Sequence, residues 1–432
     1  MHARLWRMHT DSSSARHNAQ VNSHKQSPSS NAEDADNMKA LILDASARTA
    51  NIQDIPQPSP GPNDLLVRVQ AIGLNPIDPL YVSSPLAPSS QTRVIGSDFA
   101  GSITSLGPSV PSSSTLRIGD HVSGFLQGAC STNPRPGAFA EYLCVPWDLV
   151  WKLPDEMGAE EAAGVSLVAL TAAQGVWYCL GLRAPFEYDR EEKWAEHPEW
   201  RGFQSRDTAW EKELKFFVYG ASTSVGLFAA QFVRLSCEGS GRRIKLFGAA
   251  GKGKHELLKQ EPYGYDHLVD YRDPDWDQQI RSLAGGEGID YVYDCISEGS
   301  SVARASSTLN KHGRSMVVRS RAGGAWTANN LPVEPIYNAV WEGLGEDVEY
   351  QGMVLKKSPA ARAFAVAFYR WLSGVMGTEV KAVPVRVMPG GLERVVGDGF
   401  ALLGAGGMGD REVKREEEWM RRVSGEKLVY RI

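Results

Sequence analysis

The stretch Val218-Tyr219-Gly220-Ala221-Ser222-Thr223-Ser224-Val225-Gly226 decides the fold. The apolar run Phe216-Phe217-Val218-Tyr219 leading into it reads as a buried strand, and Val225 to Leu235 reads as a helix. A strand turning sharply into a helix aims unpaired N-terminal amides over the turn, where a dinucleotide pyrophosphate can bind. The strict G-x-G-x-x-G is absent: counted back from Gly226, its first two glycine positions hold Ala221 and Thr223. Ser222, Thr223, Ser224 and Val225 are the candidate phosphate contacts, because small hydroxyl residues permit close approach and can hydrogen-bond an anion. On spacing alone, an ordinary tight turn is the competing reading.

Working outward, the strand Ile244-Lys245-Leu246-Phe247 is followed by Gly248-Ala249-Ala250-Gly251-Lys252-Gly253-Lys254. No acid stands where a fold selective for NAD places Asp or Glu on the ribose hydroxyls. Gly251, Lys252, Gly253 and Lys254 instead offer flexible backbone and two cations, which suit a 2′-phosphate; a solvated basic loop is the alternative. A helix over 255–260, strands at 267–270, 289–294 and 314–318, and a helix between the first two continue the alternation. Strand–helix alternation predicts an α/β fold with a doubly wound parallel sheet. Upstream, Met38 to about Pro154 shows short β-type runs broken by Pro, Gly, Ser and Asp, such as Leu65-Leu66-Val67-Arg68-Val69, which suggest a small barrel. Ala159 to Leu182 is Ala- and Leu-rich and reads as helical.

The chain has 432 residues, 42% hydrophobic, with a net charge of −5. That charge gives no drive toward nucleic acid, and no apolar run marks a membrane span. Five widely spaced cysteines form no CxxC pair, so they read as reduced thiols of a cytoplasmic protein. Residues 1–37, rich in Ser, Asn, His and Gln, read as a disordered extension. Residues 187–215 (charged and Trp-rich) and 404–421 (Gly-rich, then a charged helix) read as surface insertions.

Asn75-Pro76-Ile77-Asp78, Gly96-Ser97-Asp98-Phe99-Ala100-Gly101, Gly119-Asp120-His121-Val122, Gly137-Ala138-Phe139-Ala140-Glu141-Tyr142, Asp270-Tyr271-Arg272 and Val423-Ser424-Gly425-Glu426-Lys427-Leu428-Val429-Tyr430 follow in order. In this the chain resembles the quinone-oxidoreductase branch of the medium-chain dehydrogenases/reductases, over roughly residues 38–432. The Tyr219–Gly226 turn and Leu170-Thr171-Ala172 resemble the trans-acting enoyl reductases that serve fungal polyketide synthases. The resemblance implies a GroES-like β-barrel domain, residues 38–183 plus 335–432, around a Rossmann domain at 184–334. It implies NADPH as cofactor and, as partner, the acyl carrier domain of a polyketide synthase bearing a tethered enoyl chain. Zinc alcohol dehydrogenases carry Cys near position 75 and His after the glycine at 96; Asn75 and Ser97 stand here, and a four-cysteine lobe is missing, so zinc-independent reduction is expected.

By the same resemblance, Thr171 would contact the nicotinamide or the substrate carbonyl. Ile77, Asp78, Pro79 and Leu80 would line the nicotinamide side of the cleft, Leu80 replacing a lysine common in enoyl reductases. Tyr271 would flank the adenosine phosphate, Val318 and Arg319 would approach the nicotinamide, and Val423 and Ser424 would close over the cofactor. Ala172, Ala173, Gln174, Gly175, Val176, Trp177 and Tyr178 on one side, and Ala339, Val340, Trp341, Glu342 and Gly343 on the other, would wall the substrate pocket. A free-standing reductase of quinones or enones, or a cofactor-binding protein without catalysis like the lens crystallins of this branch, are the rival readings.

Overall fold

The computed structural model describes residues 37–85, 92–128, 135–189, 213–238, 241–350, 353–404, 406–411 and 415–432. Two sheets organise it. The first is built on β3 (Asp64–Gly73), whose residues are nearly all buried, only Arg68 reaching solvent. β3 pairs antiparallel with β4 (Asp98–Leu106) and β6 (Tyr142–Pro146), and β4 continues through β5 (His121–Phe125) to β7 (Val150–Lys152). A hairpin of β1 (Asn37–Asp44) and β2 (Thr49–Pro56) packs beside them, Leu41 opposite Ile52. The edge of β3 that β6 covers at Asp64–Arg68 is completed at Ala71–Gly73 by a later segment. β17 (Lys427–Arg431) lies antiparallel to β3, with Val429 opposite Gly73, and β16 (Val385–Met388) lies parallel to β17. Leu65, Val67, Val69, Ile72, Phe99, Ile103, Phe139, Leu428 and Tyr430 form its core.

The second sheet is parallel throughout. Its order is β10 (His267–Val269), β9 (Ile244–Ala249), β8 (Leu214–Tyr219), β11 (Ile289–Asp294), β12 (Leu309–Val317) and β13 (Ile336–Tyr337). The chain runs outward from β8 in one direction and then, from β11, in the other. Such a reversal opens a crevice at the carboxyl ends of the two central strands, where ligands of doubly wound sheets bind. β8 is apolar on both faces because helices cover both, as a parallel sheet requires.

Helices α1 (Ile77–Ser83), α2 (Ala159–Ala162), α3 (Ser166–Ala173), α4 (Ser224–Glu238), α5 (His255–Lys259), α6 (Trp276–Leu283), α7 (Ser301–Ser307) and α8 (Pro359–Val375) surround the sheets. The helical stretch expected over 159–182 is broken at Ala163–Val165 and ends as a π-helical segment, Gln174–Cys179. The span Ala159–Cys179 is long and apolar enough to cross a membrane, but 94% of its apolar window is buried inside the protein, against α4 and α8. It is apolar all round because it is a core helix.

Three expectations change. The charged helix expected within 404–421 is, among the described residues, two single turns at Met408–Asp410 and Glu418–Met420. Its early glycines favour turns over helix. Leu214 and Lys215, assigned to the first insertion, belong to β8, and residues 190–212 lie outside the described residues. Asn37 already pairs with Pro56 in β1, while residues 1–36 lie outside the described residues.

Candidate active site

The turn between β8 and α4 is built by its own side chains. Gly220 takes φ +77°, which a glycine adopts without strain. It thus performs the tight-turn role one position before the place where the strict motif puts its first glycine. Thr223 donates its hydroxyl to the Gly220 carbonyl (2.8 Å) and accepts the Gly226 N–H (3.1 Å). A Cβ on Gly226 would stand 2.5 Å from the Gly220 oxygen, so only glycine lets α4 start this close to the turn. The Thr223 hydroxyl is therefore occupied in shaping the turn on which the expected phosphate contacts stand. Ser222, Ser224 and Val225 stay half-exposed at the N-terminus of the fifteen-residue α4. These features fit a pyrophosphate.

The loop after β9 lies alongside. Gly251 is half-buried and Lys252 and Gly253 are exposed. Lys254 reaches toward the turn: a Cβ on Gly425 would lie 3.3 Å from Lys254 Nζ and 3.4 Å from the Ser222 oxygen. The segment carrying Val423 and Ser424 thus crosses beside Ser222 and Lys254; Val423 packs on the barrel core and Ser424 is exposed. Sequence reasoning missed Arg272. Its guanidinium nitrogens lie 3.3 and 3.6 Å from where a Gly251 Cβ would be. It sits over the Tyr271 ring (5.0 Å) and is tethered to Asp270 (3.3 Å), whose other contacts include the Lys252 N–H (3.1 Å). Asp270-Tyr271-Arg272 was visible as a motif, but nothing in the spacing showed that the arginine folds back over the glycine loop. Arg272 and Tyr271 thus flank the glycine loop that carries Lys252 and Lys254.

At the carboxyl end of β11, buried Asp294 accepts the Ile296 and Ser297 N–H groups (2.9 and 2.7 Å) and the Ser301 hydroxyl (2.6 Å). Burial pushes its carboxyl up to about 6. Ser297 in turn accepts the Val318 N–H (3.0 Å), which fixes Val318, half-exposed, at the end of β12. Arg319 is drawn away from a nicotinamide role: its guanidinium pairs with Glu298 (2.5 Å) and donates to the Gly406 carbonyl (3.4 Å). Glu298 also accepts the Met408 N–H (2.9 Å), so Arg319 and Glu298 together tie Gly406 and Met408 to the end of the Rossmann sheet.

Thr171 is the one residue of α3 that is not fully buried. Its hydroxyl donates to the Leu167 carbonyl (2.8 Å), and Tyr293 donates to the Thr171 carbonyl (2.9 Å), fixing the helix to β11. Ala172, Ala173, Gln174 and Gly175 follow, all buried. Across from them, a Cβ on Gly343 would lie 3.1 Å from Leu170 Cδ2 and 3.3 Å from Gln174 Nε2, bringing the two walls together. Ala339, Val340 and Trp341 are buried on the facing turn, Trp341 against Phe125 (5.7 Å) and Tyr81 (6.5 Å). Glu342 folds back onto the Ala339 N–H (3.3 Å). Val176, Trp177 and Tyr178 are corrected to core residues. Trp177 packs on Phe232 (4.5 Å) and Trp371 (5.4 Å) and donates to Ser236 (2.7 Å), while Tyr178 faces Phe364 (5.3 Å). Large aromatic side chains on this helix find their area in the interior.

Beneath the cleft lies a buried polar network that the sequence did not reveal. Asp98 accepts the Asn75 Nδ2 (2.9 Å) and the Leu167 N–H (2.8 Å) and is ion-paired with Lys427. Asp78 accepts the Asn75 N–H and the Ser97 hydroxyl, both at 2.7 Å, and burial pushes its carboxyl up to about 7. Its side chain is spent here, which corrects its placement as a cofactor contact. Buried Pro79 and half-buried Ile77 and Leu80 share α1 with it. Asn75 and Ser97 stand where zinc dehydrogenases carry ligands, and here they hydrogen-bond two carboxylates beside a lysine ammonium. An amide, a hydroxyl and an ammonium do not fit a zinc site, which needs thiolate, imidazole or free carboxylate donors.

A GroES-like barrel joined to a Rossmann sheet, with a dinucleotide turn at the cleft, defines an oxidoreductase of the medium-chain dehydrogenase/reductase class. Residues 61–155 match the alcohol dehydrogenase GroES-like domain and residues 225–337 the zinc-binding dehydrogenase domain. The solved CurK enoyl reductase shares the fold, with TM-score 0.62 and 18% identity over 91% of this chain and 98% of its own. So does a mycobacterial protein solved with NADPH, with TM-score 0.61 and 19% identity over 91% and 100%. Trans-enoyl reductase RAP2 of Pyricularia oryzae is 30% identical over 397 residues, 89% of this chain and 98% of the relative. Trans-enoyl reductase traG of Penicillium crustosum is 28% identical over 359 residues, 82% and 91%. The chain belongs to the trans-enoyl reductases, and is an oxidoreductase acting on a carbon–carbon double bond with a nicotinamide cofactor.

Proposed function

We propose that this reductase uses NADPH to saturate an α,β-unsaturated acyl thioester held on the acyl carrier domain of a polyketide synthase. The observation that carries the cofactor choice is Arg272 lying over Gly251, with Lys254 beside Ser222 and Gly425, Lys252 exposed in the same loop, and no acid at the end of β9. When bound, NADPH would supply the hydride for the β carbon, and solvent would supply the α-carbon proton. Ser222, Ser224 and the α4 N-terminus hold the pyrophosphate, the basic loop holds the 2′-phosphate, and Thr171 and Val318 border the reacting end. The wall of Leu170, Ala172, Ala173 and Gly343 carries few polar groups, which suits an extended acyl chain.

The test compares a crotonyl-type thioester on pantetheine, the same chain on a carrier domain, and a free quinone, each with NADPH and NADH. Reduction of the thioesters with NADPH, faster on the carrier, is expected. Rapid quinone reduction with no thioester turnover overturns this reading.

A further inference from the structure

The site as built lacks an assigned hydrogen-bond donor for the substrate carbonyl. The Thr171 hydroxyl gives its one hydrogen to the Leu167 carbonyl (2.8 Å) and has only lone pairs left to offer. The Leu80 side chain offers no donor. Three residues beyond Thr171, and therefore on the same helix face, Gln174 opens the π-helical segment Gln174–Cys179. Its side chain is 1% exposed, and neither its amide nitrogen nor its oxygen has a hydrogen-bond partner. A Cβ on Gly343 would lie 3.3 Å from its Nε2 and 3.1 Å from both Leu170 Cδ2 and Ala365 Cβ, so the amide ends beside apolar groups and a bare glycine. A buried carboxamide with two idle ends opposes folding, and π-helical turns are found frequently at functional sites. Both observations sit on one residue of the candidate substrate wall.

We infer that Gln174 Nε2 donates the hydrogen bond to the carbonyl oxygen of the bound enoyl thioester. This rests on the thioester reading above. As hydride reaches the β carbon, the double-bond electrons move toward the carbonyl and the oxygen gains the charge of an enolate. The amide stabilises that charge and keeps both its protons; the proton that completes the product goes from solvent to the α carbon. An amide does not titrate, so this donor is present at every working pH.

The experiment measures steady-state reduction of a crotonyl-pantetheine thioester by the wild type and by Gln174→Met, an apolar replacement of similar volume. Loss of one such donor lowers kcat by about 10²-fold, with NADPH binding and melting temperature retained. Infrared difference spectra of the 13C-carbonyl thioester bound with NADP+ give a second readout. The carbonyl stretch is shifted down in the wild type and returns to its free value in the variant. A kcat within about threefold of wild type, a change confined to KM, or an unshifted carbonyl in the wild type overturns the inference. Should Gln174→Met not fold, Gln174→Asn withdraws the amide by one methylene and must also slow turnover; an unchanged rate overturns the inference there. A wild type that turns over no enoyl thioester overturns the underlying reading as well, whereas active wild type with an equally active variant overturns this inference alone.

Discussion

At the scale of single residues, the carboxyl of Asp78 carries a measurable signature. Its folded value, about 7, lies above the ordinary 3.8 because burial dominates over its two hydrogen bonds and over nearby Lys427, while Asp98 adds repulsion. Between those two values the folded state binds more protons than the unfolded one. Stability contributed by this group is therefore full below about pH 4 and declines as pH rises toward 7. Denaturant midpoints should fall across that window in the wild type and fall less in Asp78→Asn; equal slopes would show that Asp78 is not the titrating group. A second residue-level expectation concerns the basic loop. A charge-assisted contact is worth roughly 1.5–3 kcal/mol, so Arg272→Ala combined with Lys252→Ala and Lys254→Ala should raise the NADPH Michaelis constant at least about tenfold. The NADH constant should barely move. The lysines were legible in the sequence because they follow a strand and a glycine. Arg272 was not, because its contact with Gly251 depends on a chain reversal eighteen or more residues on, held by Asp270.

At the scale of elements, the turn after β8 shows what a motif can and cannot tell. The strand and the helix were legible from their apolar runs, yet the glycine spacing looked defective. The structure explains the discrepancy: Gly220 supplies the positive φ one position early, and Thr223 ties the turn in place of a second glycine. Gly226 has no substitute, since an added Cβ would meet the Gly220 oxygen at 2.5 Å. Gly226→Ala should abolish dinucleotide binding, read by fluorescence titration, while leaving the barrel's circular dichroism intact; retained affinity would show that α4 can retreat. Thr171→Val should slow thioester reduction yet keep cofactor binding, because its hydroxyl lies at the cleft and not at the turn. The aromatic half of the same helical stretch was misread. Nothing in Val176-Trp177-Tyr178 distinguishes a pocket wall from a core, and the partners that claim Trp177 come from α4 and α8, distant in sequence.

At the scale of the whole molecule, two halves of the chain meet on one ion pair. Lys427 and Asp98 are 5% and 0% exposed, 329 residues apart. Removing one partner of such a pair leaves a buried charge and costs about 3–5 kcal/mol. Lys427→Met should lower stability by that order in urea unfolding, and Asp98→Asn/Lys427→Met together should recover part of it. A single variant as stable as wild type would mean that water reaches the site. The contact was beyond sequence reasoning, since Glu426-Lys427-Leu428-Val429 was visible only as part of a family-like ending and gave no sign of which carboxylate it sought.

The placement of β17 has a consequence for the birth of the protein. The strand lies between β16 and β3, and Asp98 holds the Leu167 N–H of the helix that bears Thr171 as well as the ammonium of Lys427. While the ribosome is still making the chain, Ala71–Gly73 of β3 lack their partner strand and Asp98 an ion-pair partner for more than three hundred codons of synthesis. The Rossmann sheet, whose strands end at Tyr337, can assemble on the emerging chain well before that. The reductase therefore becomes competent only after β17 leaves the exit tunnel, and a nascent chain stalled just short of Lys427 should bind dinucleotide without reducing anything.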